Sequence, residues 1–158
     1  HSFSGVSGAI LNDWTLTGLV TLQSGVPVAV TQATNSNAFA GFGVQRPNLV
    51  GDPTLPADQR TPAHWFDVSA FAVAPQFMLG SASRNPVRGP AYRDVDLAIM
   101  RHIGIGGDRR LELRAEIFNL LNTPSFGAPA AVLGAANFGT ITSAGDPRVV
   151  QLAIKASF

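Results

Sequence analysis

A strict alternation of apolar and polar residues at the end of the chain limits its fold more than any other feature. Val150, Leu152, Ile154, Ala156 and Phe158 occupy every second position, and most of the residues between them are polar or small. Alternation with a period of 2 places the two sets on opposite faces of a β-strand, whereas an amphipathic helix repeats every 3.6 residues or so. The segment is therefore predicted to be a strand with one apolar face.

Two further segments, residues 95–103 and 111–117, alternate in the same way. Residues 111–117 are also good helix formers, so propensity alone leaves helix and strand equally open there. The glycine-rich residues 104–108 separate the two alternating segments and are typical of a hairpin turn. This turn favours a strand over residues 111–117.

Near the start, residues 14–30 alternate with one parity and are predicted to form a long strand, bent near Gly25 and Pro27. Residues 1–10 are rich in glycine and serine and are predicted to end a preceding strand, which brings the count to about five. Aromatic residues fall near the predicted strand ends, as in the girdles at a membrane interface: Trp14, Tyr92, Phe118 and Phe158.

The connections between these strands are of two kinds. Those near residues 11–13 and 104–108 are tight, whereas residues 33–90 and 122–146 are long and rich in Gly, Pro, Asn and Ala. Short turns on one side and long loops on the other are the pattern of outer-membrane barrels. The predicted fold is therefore all-β: an antiparallel up-and-down meander of about five strands from a transmembrane β-barrel, with long extracellular loops.

Composition agrees with a chain that is only partly in contact with water. Charged residues make up 13% of the sequence, about half the usual share, and no apolar stretch reaches the length of about 18 residues that a membrane helix needs. The cationic residues are scattered, which argues against nucleic acid as a partner. A soluble β-sandwich would show the same alternation, because one face of its sheet is in the core and the other in water.

The positions of the charges bear on the choice between these folds. In a barrel, a charge facing lipid at mid-membrane costs about 2 to 4 kcal/mol, whereas one facing the lumen is tolerated. The charged residues of the polar faces are predicted to face the lumen: Asp94, Asp96, Glu112, Arg114, Glu116 and Lys155. Arg101 is the exception on the apolar face, and its long stem could carry the guanidinium to the interface.

The four acidic residues of this set could alternatively hold a hard cation, but a polar wall facing Arg114 is the commoner arrangement. No nucleophile elbow occurs, and the histidines lack the spacing of a zinc helix. We therefore expect a protein that is not an enzyme, with no catalytic, cofactor or metal site.

Several phrases, in order along the chain, resemble the C-terminal barrel segments of TonB-dependent receptors, particularly the Oar-like type that carries a carboxypeptidase-regulatory-like domain. They are Trp14-Thr-Leu-Thr-Gly18, Gln23-Ser-Gly25-Val-Pro27, Trp65-Phe66-Asp67 with Ala70-Phe71, Arg84-Asn-Pro-Val-Arg-Gly-Pro90, Arg114-Ala-Glu-Ile-Phe-Asn119 with Asn122 and Phe126-Gly127, and Phe138-Gly-Thr-Ile-Thr-Ser-Ala-Gly-Asp-Pro-Arg148. The resemblance spans nearly the whole chain.

The resemblance implies that residues 1–158 are the C-terminal part of one barrel domain in the bacterial outer membrane, with the plug and the earlier strands upstream. The chain begins with His1 rather than Met, which fits an excised portion. Such a receptor binds a scarce solute, of the siderophore, cobalamin or oligosaccharide class, and imports it with energy from the TonB complex, contacted through the absent N-terminal part. Membrane lipid and the barrel-assembly machinery are the other implied partners.

Two groups of residues are assigned roles from this resemblance. The assembly machinery is expected to recognise the last strand through its terminal aromatic residue and the apolar face beneath it: Phe158, Ala156, Ile154 and Leu152. In the long loop, contacts to the solute are expected from Trp65, Phe66, Arg84 and Arg88, although packing within the loop explains its aromatic residues equally well.

Two other interpretations remain open. Several copies of a short chain could contribute strands to one oligomeric outer-membrane pore, or the chain could be the soluble β-sandwich binding module mentioned above.

Overall fold

The computed structural model describes residues 12–41 and 43–158, and these contain ten strands and two short 3-10 helices. The strands are β1 (Trp14–Gln23), β2 (Pro27–Val28), β3 (Thr31–Gln32), β4 (Asn48–Leu49), β5 (Phe71–Ala72), β6 (Val87–Arg88), β7 (Tyr92–Gly106), β8 (Arg109–Phe118), β9 (Val132–Leu133) and β10 (Val149–Ser157). The 3-10 helices are Ala38–Ala40 and Val68–Ala70. Neither has the length or the apolar character to span a membrane.

These elements divide into two compact units. The sheet unit holds the described residues up to Leu22, together with Arg93–Pro124 and Asp146–Phe158, and the loop unit holds Gln23–Tyr92 and Ser125–Gly145. In the chain, the loop unit is therefore formed from the two long connections, the one between β1 and β7 and the one between β8 and β10.

The long strands form a four-stranded sheet in the order β1-β7-β8-β10, as far as the described residues extend. β8 pairs antiparallel with β7, from Leu97 opposite Ile117 to Gly106 opposite Arg109, and antiparallel with β10 on its other edge. The prediction of an all-β antiparallel meander is confirmed. The expected preceding strand over residues 1–10 lies outside the described residues.

The hairpin between β7 and β8 turns through Gly107 and Asp108, after a β-bulge between Gly104 and Gly106. Gly106 and Gly107 have φ angles of 101° and 60°, which side chains with a Cβ rarely adopt. This local requirement explains the glycines that indicated a hairpin. Residues 111–117 form a strand because both edges of β8 are paired, which their helix propensity does not outweigh.

The prediction of one long strand over residues 14–30 is wrong beyond Gln23. β1 ends there, and β2 pairs instead with β6 in the loop unit. A Cβ on Gly25 would lie 1.9 Å from the carbonyl oxygen of Gly89, so the backbone passes Gly89 at a distance only glycine allows. The apolar parity after Gln23 therefore reflects burial in the loop unit rather than continuation of the sheet.

The loop unit has a hydrophobic core of its own. Among the buried residues of this core are Val28, Val30, Phe66 and Phe71, and Phe138 packs against them. The three phenylalanines meet edge to face, with ring centroids 5.2 to 5.9 Å apart, an arrangement favoured by the aromatic quadrupole. Thus the long loop does pack on itself, and residues of both connections contribute to one core.

Buried amides hold the polar side of this unit together. Gln32 accepts a hydrogen bond from the backbone N–H of Ala74 at 2.9 Å and donates one to Gln45 at 3.0 Å. Asn37 donates to the carbonyl of Met78 at 2.9 Å and accepts from the N–H of Phe77 at 2.8 Å. Because buried amides are costly unless they are bonded, these contacts fix the segment near residue 32 against the segment near residue 75.

The contact between Gly25 and Gly89 makes a testable prediction. Gly25→Ala should destabilise the loop unit by about 1 to 3 kcal/mol, since the added methyl meets backbone that has no rotamer to move into. Gly43→Ala is the matched control, because a Cβ at Gly43 has nothing within 4 Å. Limited proteolysis of the purified protein measures the effect, and equal cleavage rates in the two variants would contradict the close packing.

Candidate functional site

The register of the sheet assigns its side chains to two faces. The charged face carries Asp94, Asp96, His102, Glu112, Arg114, Glu116 and Lys155, because Glu112 lies opposite both His102 and Lys155 and the other positions follow by alternation. The apolar face carries Val95, Leu97, Ile99, Arg101, Ile103, Leu111, Leu113, Ala115, Ile117, Val150, Leu152, Ile154 and Ala156. Arg93 and Arg109, at strand ends, share its parity. All six residues predicted to face a lumen therefore lie on one side of the sheet.

The charged face is internally paired. Arg114 binds Glu116, two residues along the same strand, with 2.5 Å between Nη2 and Oε1. His102 and Glu112 lie across the β7–β8 pair, with 3.4 Å between Nε2 and Oε2. Asp96 accepts the backbone N–H of Asn119 at 3.0 Å, just beyond the end of β8. These contacts form a polar wall of both charge signs.

The alternative of a cation site on this face gains no support from the geometry. Glu112 and Glu116, two of the four acidic residues considered, each have a basic partner. Across residues 12–41 and 43–158, His, Cys, Asp and Glu side chains do not gather in threes that could hold a metal ion.

The apolar face is open rather than packed against a second layer. Leu152 and Ile154 are 77% and 74% exposed, and a shallow groove of about 430 Å³ runs over the face between Trp14, Leu113 and Ile154. In the part of the chain that the structure describes, the buried hydrophobic residues belong to the loop unit. The sheet therefore presents its apolar side chains to its surroundings.

Arg101 is a charged residue of this face that lies within its strand rather than at a strand end, and it stacks on an aromatic ring. Its guanidinium carbon lies 5.3 Å from the centroid of the Trp14 ring on the neighbouring strand. Such a cation–π contact is worth roughly 0.5 to 2 kcal/mol, depending on how far it is desolvated. The exception in the charge pattern thus has a specific partner.

The aromatic residues predicted to form girdles do lie at strand ends, but not all on the same face. Tyr92 and Phe118 have the parity of the charged residues, whereas Trp14 and Phe158 have the parity of the apolar face. Phe158 follows the last residue of β10 and is 93% exposed. Leu152, Ile154 and Ala156, which are expected from the resemblance to form the assembly signal with Phe158, lie within β10 on the apolar face.

The loop unit contains a cleft of about 330 Å³. We call it the arginine cleft. Ten residues line it: Pro53, Thr54, Leu55, Arg60, Trp65, Phe66, Asn85, Pro86, Val87 and Arg88. Three of the four residues predicted to contact a solute, Trp65, Phe66 and Arg88, are thus brought together, whereas Arg84 does not line the cleft.

Hydrogen bonds to backbone carbonyls position the polar groups of the cleft. Trp65 donates from Nε1 to the carbonyl of Arg88 at 2.8 Å, and Arg88 donates from Nη1 to the carbonyl of Gly25 at 3.2 Å. Arg60 donates from Nε to the carbonyl of Leu55 at 2.7 Å. Phe66 is 1% exposed, so its ring packs in the core of the loop unit and is not available in the cleft for contact with a ligand.

Sequence reasoning missed Arg60. It lies in a polar loop segment after Asp58 and Gln59, with nothing nearby to distinguish it from a solvated arginine. Arg60 lines the same cleft as Arg88 only because residues 53–66 and residues 85–88 come together in the fold, and no periodicity in the sequence indicates this.

The segment that carries Trp65 is stabilised by a helix cap. Asp67 precedes the 3-10 helix Val68–Ala70 and accepts hydrogen bonds from Ser69, from the hydroxyl at 2.6 Å and from the backbone N–H at 2.9 Å. The Ser69 side-chain and backbone bonds lower the pKa of Asp67 below its ordinary value of 3.8. The cap is therefore strongest when Asp67 is ionised.

This cap predicts a pH dependence. Because the pKa of Asp67 is lower in the folded protein, its stabilisation is present above pH 3.8 and is lost as the pH falls through the folded-state pKa. Asp67→Ala should speed amide hydrogen exchange in residues 68–71 relative to the wild type, and the difference should shrink below pH 3.8. Asp58→Ala, in an exposed loop of the same unit, is the control. A rate ratio that stays constant across this range would exclude an ionised cap.

Comparison with known proteins identifies a family to which the chain belongs. The family model described as an outer membrane beta barrel domain matches residues 1–151. No curated protein and no solved structure matches the chain. The family agrees with the two-faced antiparallel sheet.

Proposed function

We propose that this chain, which belongs to the outer membrane beta barrel domain family and lies in the bacterial outer membrane, forms the C-terminal barrel wall of a TonB-dependent receptor. In this proposal the receptor binds a scarce solute of the siderophore, cobalamin or oligosaccharide class and imports it. Its role is binding and passage rather than catalysis. The soluble β-sandwich is not retained, because the family is one of membrane barrels.

The observation that carries the proposal is the separation of the two faces of the sheet. The apolar face suits lipid, where its open leucines and isoleucines gain an apolar environment and a charge would cost about 2 to 4 kcal/mol. The charged face suits a water-filled or plugged lumen, where Arg114 and Glu116 remain hydrated and paired. A wall with these two faces is what a transporter barrel requires.

The long connections support the receptor half of the proposal. Loops of this length in compact proteins commonly have functions of their own, and here they fold into a unit with a core and a cleft. The TonB dependence itself is supported by the resemblance of phrases such as residues 84–90, 114–119 and 138–148 to receptors of that class.

The oligomeric pore remains the second candidate because of the edges of the sheet. Its four described strands are fewer than the eight or so of the smallest single-chain barrels, and open edges in lipid leave backbone groups unpaired. The further strands come either from the same polypeptide or from other copies.

The coding sequence that flanks this chain, together with crosslinking of the full protein to TonB in cells, tests the proposal. A plug domain, about 17 further strands and a TonB adduct are expected. A reading frame without a plug, whose product migrates as a multimer and gives no TonB adduct, would overturn the receptor and favour the pore.

The two faces predict opposite responses to the same substitution at neighbouring positions. Leu113→Arg should destabilise the assembled barrel by about 2 to 4 kcal/mol if Leu113 lies near the membrane midplane, since the charge would face lipid. Glu112→Arg should lose no more than the roughly 1 kcal/mol of an exposed ion pair. Urea unfolding of the full protein in lipid, followed by heat-modifiable mobility, measures both. Equal losses would remove the lipid-facing assignment.

The strand directions predict the membrane sidedness of two sites. The long connection after β1 and the turn at Gly107 and Asp108 lie at opposite ends of the strands, so the first should be extracellular and the second periplasmic. The sequence has no native cysteine. Cysteine placed at Ala57 should react with an impermeant reagent in intact cells, and cysteine placed at Asp108 should not. The reverse pattern would invert the topology.

A further inference from the structure

The arginine cleft combines two cationic side chains with an aromatic wall. Arg60 and Arg88 are exposed and line the same cleft, together with the half-buried Trp65. Each arginine donates one N–H to a backbone carbonyl, and this hydrogen bond restricts the orientation of its guanidinium group. The remaining N–H donors of a guanidinium are able to bind an oxyanion in a bidentate manner.

Nothing in the cleft neutralises these charges. Of the ten described residues that line it, none is acidic, and neither arginine forms an ion pair with any residue that the structure describes. Two like charges held beside one cleft favour an anion there. The charged face of the sheet differs in this respect, because Arg114 already has Glu116 as its partner.

The remaining walls suggest the rest of the ligand. Trp65, Pro53 and Pro86 all line the cleft, so it has rigid apolar surfaces against which the C–H face of a ring could pack. Thr54 and Asn85 add neutral hydrogen-bonding groups. The volume of about 330 Å³ is near the lower end of ligand pockets, which span about 300 to 1,000 Å³. This suits one or two sugar rings.

We propose that the arginine cleft binds a sugar that carries an oxyanion, either a carboxylate or a phosphate. Arg60 and Arg88 bind the anionic group, and Trp65 packs against the ring. The inference rests on the proposed function only for the claim that such a sugar is imported. Binding in the cleft depends on the loop unit alone.

The test measures binding to the purified full protein in detergent by calorimetry, with galacturonate, glucose 6-phosphate and neutral galactose as probes. One or both of the anionic sugars should bind, more weakly at high salt, and which one binds distinguishes carboxylate from phosphate. Galactose should bind at least about tenfold more weakly, since it lacks the charge-assisted hydrogen bonds. Equal affinity for all three, or no binding of either anion, would overturn the proposal.

Substitutions locate the binding site. Arg60→Gln and Arg88→Gln should each weaken binding of the anion by about tenfold or more, while Arg84→Gln, at an exposed arginine outside the cleft, should leave it unchanged. Arg88→Lys retains the charge and should recover part of the loss. Trp65→Phe should lower affinity for the anionic sugar without changing its salt dependence. Equal behaviour of the Arg60 and Arg84 variants would place binding elsewhere and overturn the assignment.

Uptake separates this inference from the proposed function. Cells that carry the full receptor should take up radiolabelled galacturonate or glucose 6-phosphate, whichever binds, and should lose that uptake without TonB. Binding that persists with no TonB-dependent uptake would leave the cleft assignment standing and overturn the receptor. TonB-dependent uptake that survives Arg60→Gln and Arg88→Gln together would overturn the cleft as the import site.

Discussion

The pairing of β8 with a strand on each edge is the interaction on which the rest of the sheet depends. Through β8, the register of β7 and that of β10 are fixed to each other, from Gln151 opposite Glu116 to Ala98 on the far side. A slip of one residue would turn every side chain of a strand to the other face. The separation of charge from apolar surface is thus a consequence of backbone hydrogen bonds, and a membrane strand has no other partner for them.

Arg101 shows how a charged residue is accommodated on the apolar face of the sheet. A lipid-facing arginine costs about 2 to 4 kcal/mol at the midplane and less toward the interfaces. Its contact with Trp14 offsets part of that, at roughly 0.5 to 2 kcal/mol. Because the carbonyl of Asp13, just before β1, accepts the N–H of His102, the pair lies where β1 begins. A lipid-facing charge costs less toward the ends of the strands than at the midplane. An arginine deeper in the face and without an aromatic neighbour would have no such compensation.

The sheet could be predicted from the sequence because its determinant is local. Alternation around Leu113 and Ile154 specifies both a strand and the face of each residue, and the same parity rule would have assigned Phe118 to the charged face. The loop unit could not be predicted, because its determinants are distant in the chain. Gln32 bonds to Ala74, 42 residues away, and its paired strands are two residues long. The end of β1 was missed for a similar reason, because the backbone just beyond it, at Gly25, passes close to Gly89, which is distant in the chain.

The sheet unit and the loop unit differ in the surroundings that stabilise them. The sheet unit has no buried hydrophobic residue among those described and leaves Leu152 more than three-quarters exposed, so its apolar face gains stability only when lipid or a comparable medium covers it. The loop unit buries Phe66 and Val30 within itself and satisfies its buried amides internally, which is how a water-facing domain is stabilised. A substitution in the sheet should therefore be felt through membrane assembly, and one in the loop unit through the shape of the cleft. In the proposed receptor, binding specificity can then vary in the loops while the wall that crosses the membrane stays the same.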